Sequence, residues 1–239
     1  MVLPVRTSDA VAAVLKVSSP DAESEHEHLA LRRWGGEGAV RLLSADPPRR
    51  ALLLERLRPQ SLSMLPDADA CQVVAGLYRR LHVPALPQLR TLTSYLEEWT
   101  AVFKALPRSA AIPHRLVEQA IALSRELSAD PASTGRVVHG NLHYQNVLAA
   151  DREPWLAIAP RPVNGDPHYE LAPMLWNRWD ELSGQVRDGV RRRFYTLVDA
   201  AGFDEERARA WTVVRVVREA TRDPATLTKY VALAKAVQD

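Results

Sequence analysis

Hydrophobic and polar positions have strand-like spacing in the first part of the chain. Residues 2–17 predict two strands joined by a turn at Thr7-Ser8-Asp9. The segments Val40 to Leu43 and Ala51 to Leu57 predict two further strands, separated by the turn-forming residues Asp46-Pro47-Pro48. The N-terminal part of the chain is therefore expected to form a small sheet.

One helix is predicted between these two pairs of strands. Ser18-Ser19-Pro20-Asp21 is expected to open it, because proline and acidic residues suit a helix N-terminus. Glu27, Leu31 and Trp34 then fall at positions i, i+4 and i+7, so they share one helical face. Gly35-Gly36 is expected to stop the helix.

The hydrophobic spacing becomes helical after the segment Pro59 to Pro66, which is predicted to be a linker. Asp67 can cap the helix that follows. The layout predicts an α+β fold with two lobes: a small strand-rich lobe in residues 1–58, a hinge near residues 55–60, and a larger, mainly helical lobe in residues 59–239. Further helices are predicted at Pro113 to Ala129, 186–201, 205–222 and 225–237.

A β-hairpin is expected to interrupt the helical lobe. Asn146 to Ala149 and Trp155 to Ala159 predict two short strands around the turn Asp151-Arg152-Glu153-Pro154. A hairpin symmetric about residues 152 and 153 would pair residue 146 with residue 159. Directly opposed residues have Cβ atoms roughly 5 Å apart, so Asn146 and Ala159 are expected to face the same small volume.

The stretch Val137 to Asn146, read as VVHGNLHYQN, has the form of a kinase catalytic loop. Together with other segments it resembles the aminoglycoside phosphotransferase family, in particular its streptomycin and hydroxyurea kinases, and the resemblance covers nearly the whole chain. The resemblance implies a protein-kinase-like fold with two lobes. The other segments that carry it are Ala13 to Val17, Glu23 to Leu29, Leu53 to Leu57, Ile158 to Arg161, and Gly165-Asp166-Pro167.

The resemblance also implies a role for each matching residue in phosphoryl transfer from ATP with Mg²⁺, a reaction that depends on positioning and charge neutralisation. Lys16 and Glu27 would grip the nucleotide phosphates, and the backbone from Glu55 to Leu57 would meet the adenine ring. Asn141 occupies the position of the catalytic base. Asn146 and Ala159 occupy metal-ligand positions, and Asp166, Glu170 and Trp176 are expected on the side of a small-molecule, aminoglycoside-like acceptor.

Three departures from the family pattern predict impaired catalysis. Asn141 stands where a carboxylate base is expected, and a neutral amide cannot take up the alcohol proton. At Ala159 a methyl group replaces a carboxylate, so a hard cation loses a charged ligand. No glycine precedes Gly35, so the N-terminal lobe is expected to be truncated, with Met1 lying just after the family's glycine-rich turn.

Several alternatives remain open on the sequence alone. Lys16 could be an exposed edge-strand lysine, and Glu23 or Glu25 could replace Glu27 as its partner. Trp176 could be a packing residue and not a ligand contact. The protein as a whole could be an impaired kinase homologue, a working antibiotic phosphotransferase with compensating groups, or a non-enzymatic binding protein that uses the fold as an interaction surface.

Composition limits the remaining possibilities. The 239 residues contain 31 Lys and Arg against 29 Asp and Glu, a net charge of +2, which gives no reason to expect a nucleic-acid partner. Cys71, the single cysteine, excludes an intrachain disulfide and fits a reducing compartment. No apolar run of about 18 residues and no signal-peptide pattern occur, so a cytoplasmic protein without a membrane partner is expected. The sequence assigns no oligomeric state.

Overall fold

A four-stranded antiparallel sheet forms the N-terminal lobe in the computed structural model, which describes residues 1–20 and 23–238. The spatial order is β1-β2-β4-β3. Both predicted hairpins are confirmed. The third strand begins at Leu42 and not at Val40, because the Val40 N–H donates to the Ala157 carbonyl in the other lobe (2.8 Å). The strands are β1 (Val2–Arg6), β2 (Ala12–Val17), β3 (Leu42–Asp46) and β4 (Ala51–Glu55).

The helix of this lobe, α1 (Glu27–Trp34), begins later than predicted. Its first turn starts at Glu27, whose N–H donates to the Ser24 carbonyl, so Ser18 to Pro20 do not open it; Asp21 lies outside the described residues. Its end is as predicted: Gly35 adopts a left-handed conformation (φ 59°) and its N–H donates to the Leu31 carbonyl. Glu27, Leu31 and Trp34 are buried together, which confirms the predicted face.

Seven more helices form most of the second lobe among the described residues. The helix α3 was not predicted, although Leu92, Leu96, Trp99 and Phe103 bury one face at spacings of four, three and four. The helices predicted near residues 113–129, 186–201, 205–222 and 225–237 are confirmed. The helices are α2 (Asp67–Leu81), α3 (Leu92–Ala105), α4 (His114–Ala129), α5 (Ala172–Trp176), α6 (Val186–Ala201), α7 (Glu205–Arg222) and α8 (Leu227–Gln238).

Asp67 does not cap α2 as predicted. The cap position belongs to Pro66, and the Asp67 carboxylate instead accepts from Arg193 Nε (2.7 Å) and from the Tyr144 hydroxyl (3.0 Å). Arg193 on α6 is only 1% exposed. Its buried charge is therefore matched by Asp67, and the ion pair fixes α6 against α2 and against the segment that carries Tyr144.

Two small two-stranded sheets carry the loop that resembles a kinase catalytic loop. The strands β5 (Arg136–Val138) and β8 (Val163–Gly165) pair antiparallel, as do β6 (Val147–Ala149) and β7 (Trp155–Ala157). The hairpin register differs by one residue from the prediction, because Ala149 pairs with Trp155. Asn146 consequently lies opposite Ile158, whose N–H donates to the Asn146 carbonyl (2.9 Å), and not opposite Ala159.

The hairpin between β6 and β7 also joins the two lobes. In its turn, Arg152 donates to the Glu55 carboxylate at the end of β4 (Nη2 to Oε1, 2.6 Å) and to the Ala39 carbonyl (2.8 Å). The strand β6 contacts the segment after β4 through the bond from Arg58 N–H to the Ala149 carbonyl (3.0 Å). The lobes are therefore held at a defined spacing on either side of a cleft. No helix in the described part of the chain is long and apolar enough to cross a membrane.

Candidate functional site

Lys16 and Glu27 form an ion pair at the base of the N-terminal lobe. Lys16 Nζ lies 2.7 and 2.6 Å from the two Glu27 carboxylate oxygens. Glu27, and not Glu23 or Glu25, is thus the partner of the lysine. The strand β2 lies between β1 and β4, which rules out the edge-strand interpretation of Lys16. Burial raises the pKa of Glu27, and the neighbouring Lys16 charge offsets part of that rise.

This ion pair lies at one end of a pocket between the lobes, here called the sheet-side pocket. Its walls are mainly apolar, and Ala159 lies in the same pocket as Lys16. Glu55 contributes to the wall while its carboxylate accepts from Arg152 and from the Arg41 N–H. Burial alone would raise the pKa of Glu55, but the Arg152 hydrogen bonds outweigh it and the pKa is lowered. The lining includes Lys16, Glu27, Leu54, Leu57, Ile158 and Ala159.

The loop from residue 139 to residue 146 is held tightly against the segment that follows the hairpin. The His139 carbonyl accepts from the Arg161 N–H (2.8 Å). Gly140 has φ 76°, and a Cβ at that position would lie 2.3 Å from the Arg161 carbonyl oxygen. Only glycine allows both the left-handed conformation and this close approach, so the loop depends on Gly140.

Glu170 anchors the same loop from beneath. Its carboxylate accepts from the backbone N–H groups of His139 (3.0 Å) and Gly140, and the side chain is 0% exposed. Burial alone would raise the pKa of Glu170, but the neighbouring His82 and the hydrogen bonds from the loop backbone outweigh it, so the pKa is lowered. The expectation that Glu170 lines an acceptor surface is therefore corrected: it is a buried support of the loop.

His139 is neutral in this arrangement. Its Nδ1 accepts from the Asn141 N–H (3.2 Å) while Nε2 lies 3.0 Å from the Ile158 carbonyl, which requires a proton on Nε2 only. Burial lowers the pKa of His139 to about 4, in agreement with this tautomer. The ring joins the loop to the segment that carries Ala159.

Asn146 lies at the other end of the loop. Its Nδ2 donates to the Asn141 carbonyl (2.8 Å) and lies 3.0 Å from His143 Nε2. Burial, with the nearby Arg161 charge, lowers the pKa of His143 to about 4. No group of three or more His, Cys, Asp or Glu side chains suited to a metal ion occurs within residues 1–20 and 23–238.

The donor set near Asn146 does not fit a tightly held Mg²⁺. The Asn146 amide offers one neutral oxygen, and Ala159 offers a methyl group. Magnesium in proteins is bound through one or two carboxylates together with phosphates and water. Ala159 itself adopts a left-handed conformation (φ 53°), in which Asp and Asn are enriched among non-glycine residues.

A second pocket, the helix-side pocket, lies on the other side of the loop. Asn141 and Trp176 line it. Trp176 also makes an edge contact with Tyr230 (centroids 5.8 Å apart), so it contributes to packing as well. The remaining lining residues include Tyr95, Trp99, Val163 and Tyr169, together with Glu23, Glu219 and four arginines, Arg161, Arg215, Arg218 and Arg222.

Asp166 does not line the helix-side pocket, which corrects the expectation. The side chain is 1% exposed and accepts from Trp211 Nε1 (2.7 Å), from His168 Nδ1 (2.6 Å) and from Arg207. Burial alone would raise the pKa of Asp166, but hydrogen bonding to His168 outweighs it and the pKa is lowered. Asp166 thus fixes α7 beneath the loop.

The arginines of the helix-side pocket were missed by sequence reasoning. Arg215, Arg218 and Arg222 stand at i, i+3 and i+7 of α7, a spacing that places them on one helix face. That spacing is visible in the sequence and indicates a basic face on the helix. Nothing in the sequence, however, indicated that this face lies beside Asn141.

The sheet lobe, the helical lobe and the loop between two pockets are the arrangement of kinase-like phosphotransferases. Solved structures agree. Aminoglycoside phosphotransferase APH(4)-Ia matches with a TM-score of 0.64 at 14% identity, covering 100% of this chain and 93% of that one. Choline kinase LicA from Streptococcus pneumoniae matches with a TM-score of 0.61 at 13% identity, covering 98% and 89%. The predicted protein-kinase-like fold is confirmed.

The family is shown by sequence comparison. The profile of the aminoglycoside/hydroxyurea antibiotic resistance kinases matches residues 1–225, and the chain belongs to this family. It is 42% identical over 233 residues to streptomycin 6-kinase of Streptomyces glaucescens, covering 93% of this chain and 74% of the relative. It is 43% identical over 228 residues to hydroxyurea phosphotransferase of Kitasatospora aureofaciens, covering 91% and 64%.

Proposed function

We propose that this protein binds ATP in the sheet-side pocket and transfers its phosphoryl group to a small-molecule acceptor only slowly. The observation that carries the proposal is the placement of Asn141 and Ala159. Asn141 lies at the wall of the helix-side pocket, and Ala159 lies beside the Lys16–Glu27 pair, so neither pocket receives a carboxylate from the two positions at which the family pattern has one.

The nucleotide side is supported by the intact Lys16–Glu27 pair and the apolar walls that include Leu54, Leu57 and Ile158. Lys16 would neutralise phosphate charge, and Glu27 would hold the lysine in place. The walls would take the adenine ring, with the backbone near Glu55 and Leu57 at its edge. In this proposal residues 1–58 provide the nucleotide side and residues 59–239 the acceptor side.

The acceptor side is supported by the loop that presents Asn141. In family relatives named for streptomycin or hydroxyurea, the acceptor is a small molecule. Asn141 can hydrogen-bond an acceptor hydroxyl and orient it, but an amide does not accept its proton. An ATP-dependent role and the lone, buried Cys71 support a cytoplasmic location.

Titration calorimetry with Mg²⁺-ATP tests the nucleotide half of the proposal. Lys16→Met is expected to weaken ATP binding about tenfold or more, because a charge-assisted contact to phosphate is lost. Lys104→Met, which removes an exposed lysine on α3, is the matched control and should bind ATP as the unaltered protein does. Equal affinity in the Lys16 and Lys104 variants would show that the nucleotide is not held in this pocket.

A transfer assay with labelled ATP and either streptomycin or hydroxyurea tests the chemical half. Kinases commonly turn over at roughly 1–100 s⁻¹, and loss of the base alone lowers this by about 10²–10⁴, so turnover of about 1 s⁻¹ or less is expected. ATP binding combined with ordinary kinase turnover would instead favour a working phosphotransferase with compensating groups. Absence of both ATP and acceptor binding would leave a non-enzymatic binding protein.

A further inference from the structure

Among the residues that the structure describes, positive charge exceeds negative charge in the helix-side pocket. Four arginines and two glutamates of residues 1–20 and 23–238 line it. The Glu23 carboxylate is shared by Arg161 (2.7 Å) and Arg218 (2.9 Å), and Glu219 is shared by Arg218 and Arg222. These two glutamates therefore form ion pairs with three of the arginines. The fourth, Arg215, pairs with neither.

Arg215 is the unmatched charge. Its side chain is 7% exposed, and no carboxylate of residues 1–20 or 23–238 lies within 4.0 Å of its guanidinium. Its Nη1 donates to the Tyr169 carbonyl (2.9 Å) and its Nη2 to the Gly140 carbonyl (3.1 Å). A guanidinium has five N–H groups, so these two bonds leave donors over. A buried, unpaired charge is costly, and an anion supplied by a ligand would offset that cost.

Aromatic rings contact this guanidinium. Arg215 Cζ lies 3.8 Å from the centroid of the Tyr169 ring and 5.1 Å from that of Trp176, so both rings contribute cation–π contacts. A guanidinium carries its N–H groups in a planar fork that matches carboxylate or phosphate oxygens. The bond to the Gly140 carbonyl places it one residue from Asn141 along the loop.

We propose that the helix-side pocket binds a small oxyanion, a hydroxylated carboxylate or phosphate ester whose anionic group contacts Arg215, and that it disfavours a polycationic aminoglycoside. The inference deepens the proposed function, because it names the acceptor class for the same cleft. A ligand with its anionic group on Arg215 would bring a neighbouring hydroxyl towards Asn141. A cation in the same place would meet four arginines, and like charges at close range repel.

Glycerol 3-phosphate and uncharged glycerol form a matched pair of probes. Binding is measured by ligand-observed NMR on the full chain with the sheet-side pocket saturated by ADP, so that the nucleotide site is filled. Glycerol 3-phosphate is expected to bind and glycerol is not. Arg215→Met should weaken glycerol 3-phosphate binding about tenfold or more, the effect of losing a hydrogen-bonded charge.

Two further variants keep the test decisive if Arg215→Met fails to fold. Arg222 lies exposed at the pocket rim, and Arg222→Glu should weaken glycerol 3-phosphate binding several-fold by reversing one charge. Arg115→Met removes an exposed arginine on α4 and should leave binding unchanged. Circular dichroism verifies the fold of each variant.

Three outcomes would overturn the inference: glycerol binding as tightly as glycerol 3-phosphate, streptomycin binding more tightly than either, or ADP abolishing glycerol 3-phosphate binding. The last would assign the arginines to the nucleotide phosphates. Binding of ADP alone is measured separately. Whether ADP alone binds bears only on the proposed function. Absence of ADP binding with retained glycerol 3-phosphate binding would remove that function and leave the oxyanion site standing.

Discussion

The two pockets on either side of the loop differ in how their charges are balanced. In the sheet-side pocket one lysine is matched by one buried glutamate, Glu27, among apolar walls. In the helix-side pocket the charges are shared among several side chains of one helix and its neighbours, and Arg215 is left without a carboxylate. The charge balance of the first pocket depends on a single ion pair. The charge balance of the second can be altered by substitution of any of several side chains.

Under the proposed function, this difference separates binding from chemistry. The Lys16–Glu27 pair is intact, whereas Asn141 lines the helix-side pocket and Ala159 lines the sheet-side pocket. We therefore expect substitutions to alter binding and chemistry separately, with the largest effect at Asn141 and Ala159.

Restoring both carboxylates should have the largest effect. Asn141→Asp with Ala159→Asp is expected to raise phosphoryl transfer about a hundredfold or more, since a general base contributes 10²–10⁴. Single-turnover assays measure the rate, with Ala159→Asn as an isosteric, uncharged control. Equal rates in the double variant and the unaltered protein would contradict the proposed impairment.

Glu170→Gln tests the support beneath the loop. The carboxylate accepts two backbone N–H bonds in a fully buried place, and the amide would turn a donor towards one of them. A loss of about 2 kcal/mol in the free energy of unfolding is expected. Urea unfolding measures it, and Glu126→Gln, at an exposed site on α4, is the control. No difference between the two variants would show that the loop is held by other contacts.

The buried His139 predicts a dependence of stability on pH. Its pKa is about 4 in the fold and about 6.5 in the unfolded chain. Between these values the unfolded chain binds more protons, so stability is full above about pH 6.5 and falls as pH drops towards 4. A single such histidine corresponds to a loss of about 2 kcal/mol between pH 7 and pH 5.

Denaturant unfolding at several pH values measures this loss. His143 titrates in the same direction and would add to it. His139→Gln should flatten the pH profile, whereas His114→Gln, at an exposed position, should not. A profile as steep in the His139 variant as in the unaltered chain would assign the dependence to other groups.

Arg152 tests the connection between the lobes and should give the smallest effect. Arg152→Met removes its bonds to Glu55 and to the Ala39 carbonyl, at a cost of about 1 kcal/mol for a partly exposed pair. Thermal unfolding measures the change. Arg49→Met breaks an exposed pair with Asp46 and should be indistinguishable from the unaltered protein. Equal behaviour of the two variants would mean that Arg152 does not hold the lobes together.

The elements that could be predicted are those that the local spacing of hydrophobic and polar residues encodes. Both hairpins of the sheet, the face of α1 and the three C-terminal helices were predicted, and so was the Lys16–Glu27 pair, which the fold brings together across a strand and a helix. The first turn of α1 and the register of the β6–β7 hairpin were wrong. A register depends on how many residues the turn takes up, and one residue there changes every opposed pair.

Tertiary placement limited the prediction of the site. Asp166 and Glu170 are polar residues that follow the loop in sequence. Both are buried and support the loop from beneath, and a single sequence does not show that burial. The arginine face of α7 was readable as a face, but its position beside Asn141 depends on how α7 packs in the fold. Residues that act through long-range neighbours are therefore those that sequence reasoning misassigned or missed.

The left-handed backbone at Ala159 has an evolutionary consequence. An alanine gains nothing from that conformation, whereas aspartate and asparagine tolerate it well. The main chain at residue 159 thus has a conformation that an aspartate would tolerate. A single base change converts an alanine codon into an acidic one, and another converts an asparagine codon into aspartate. Under the proposed function, an aspartate at each of the two positions is therefore one base change away.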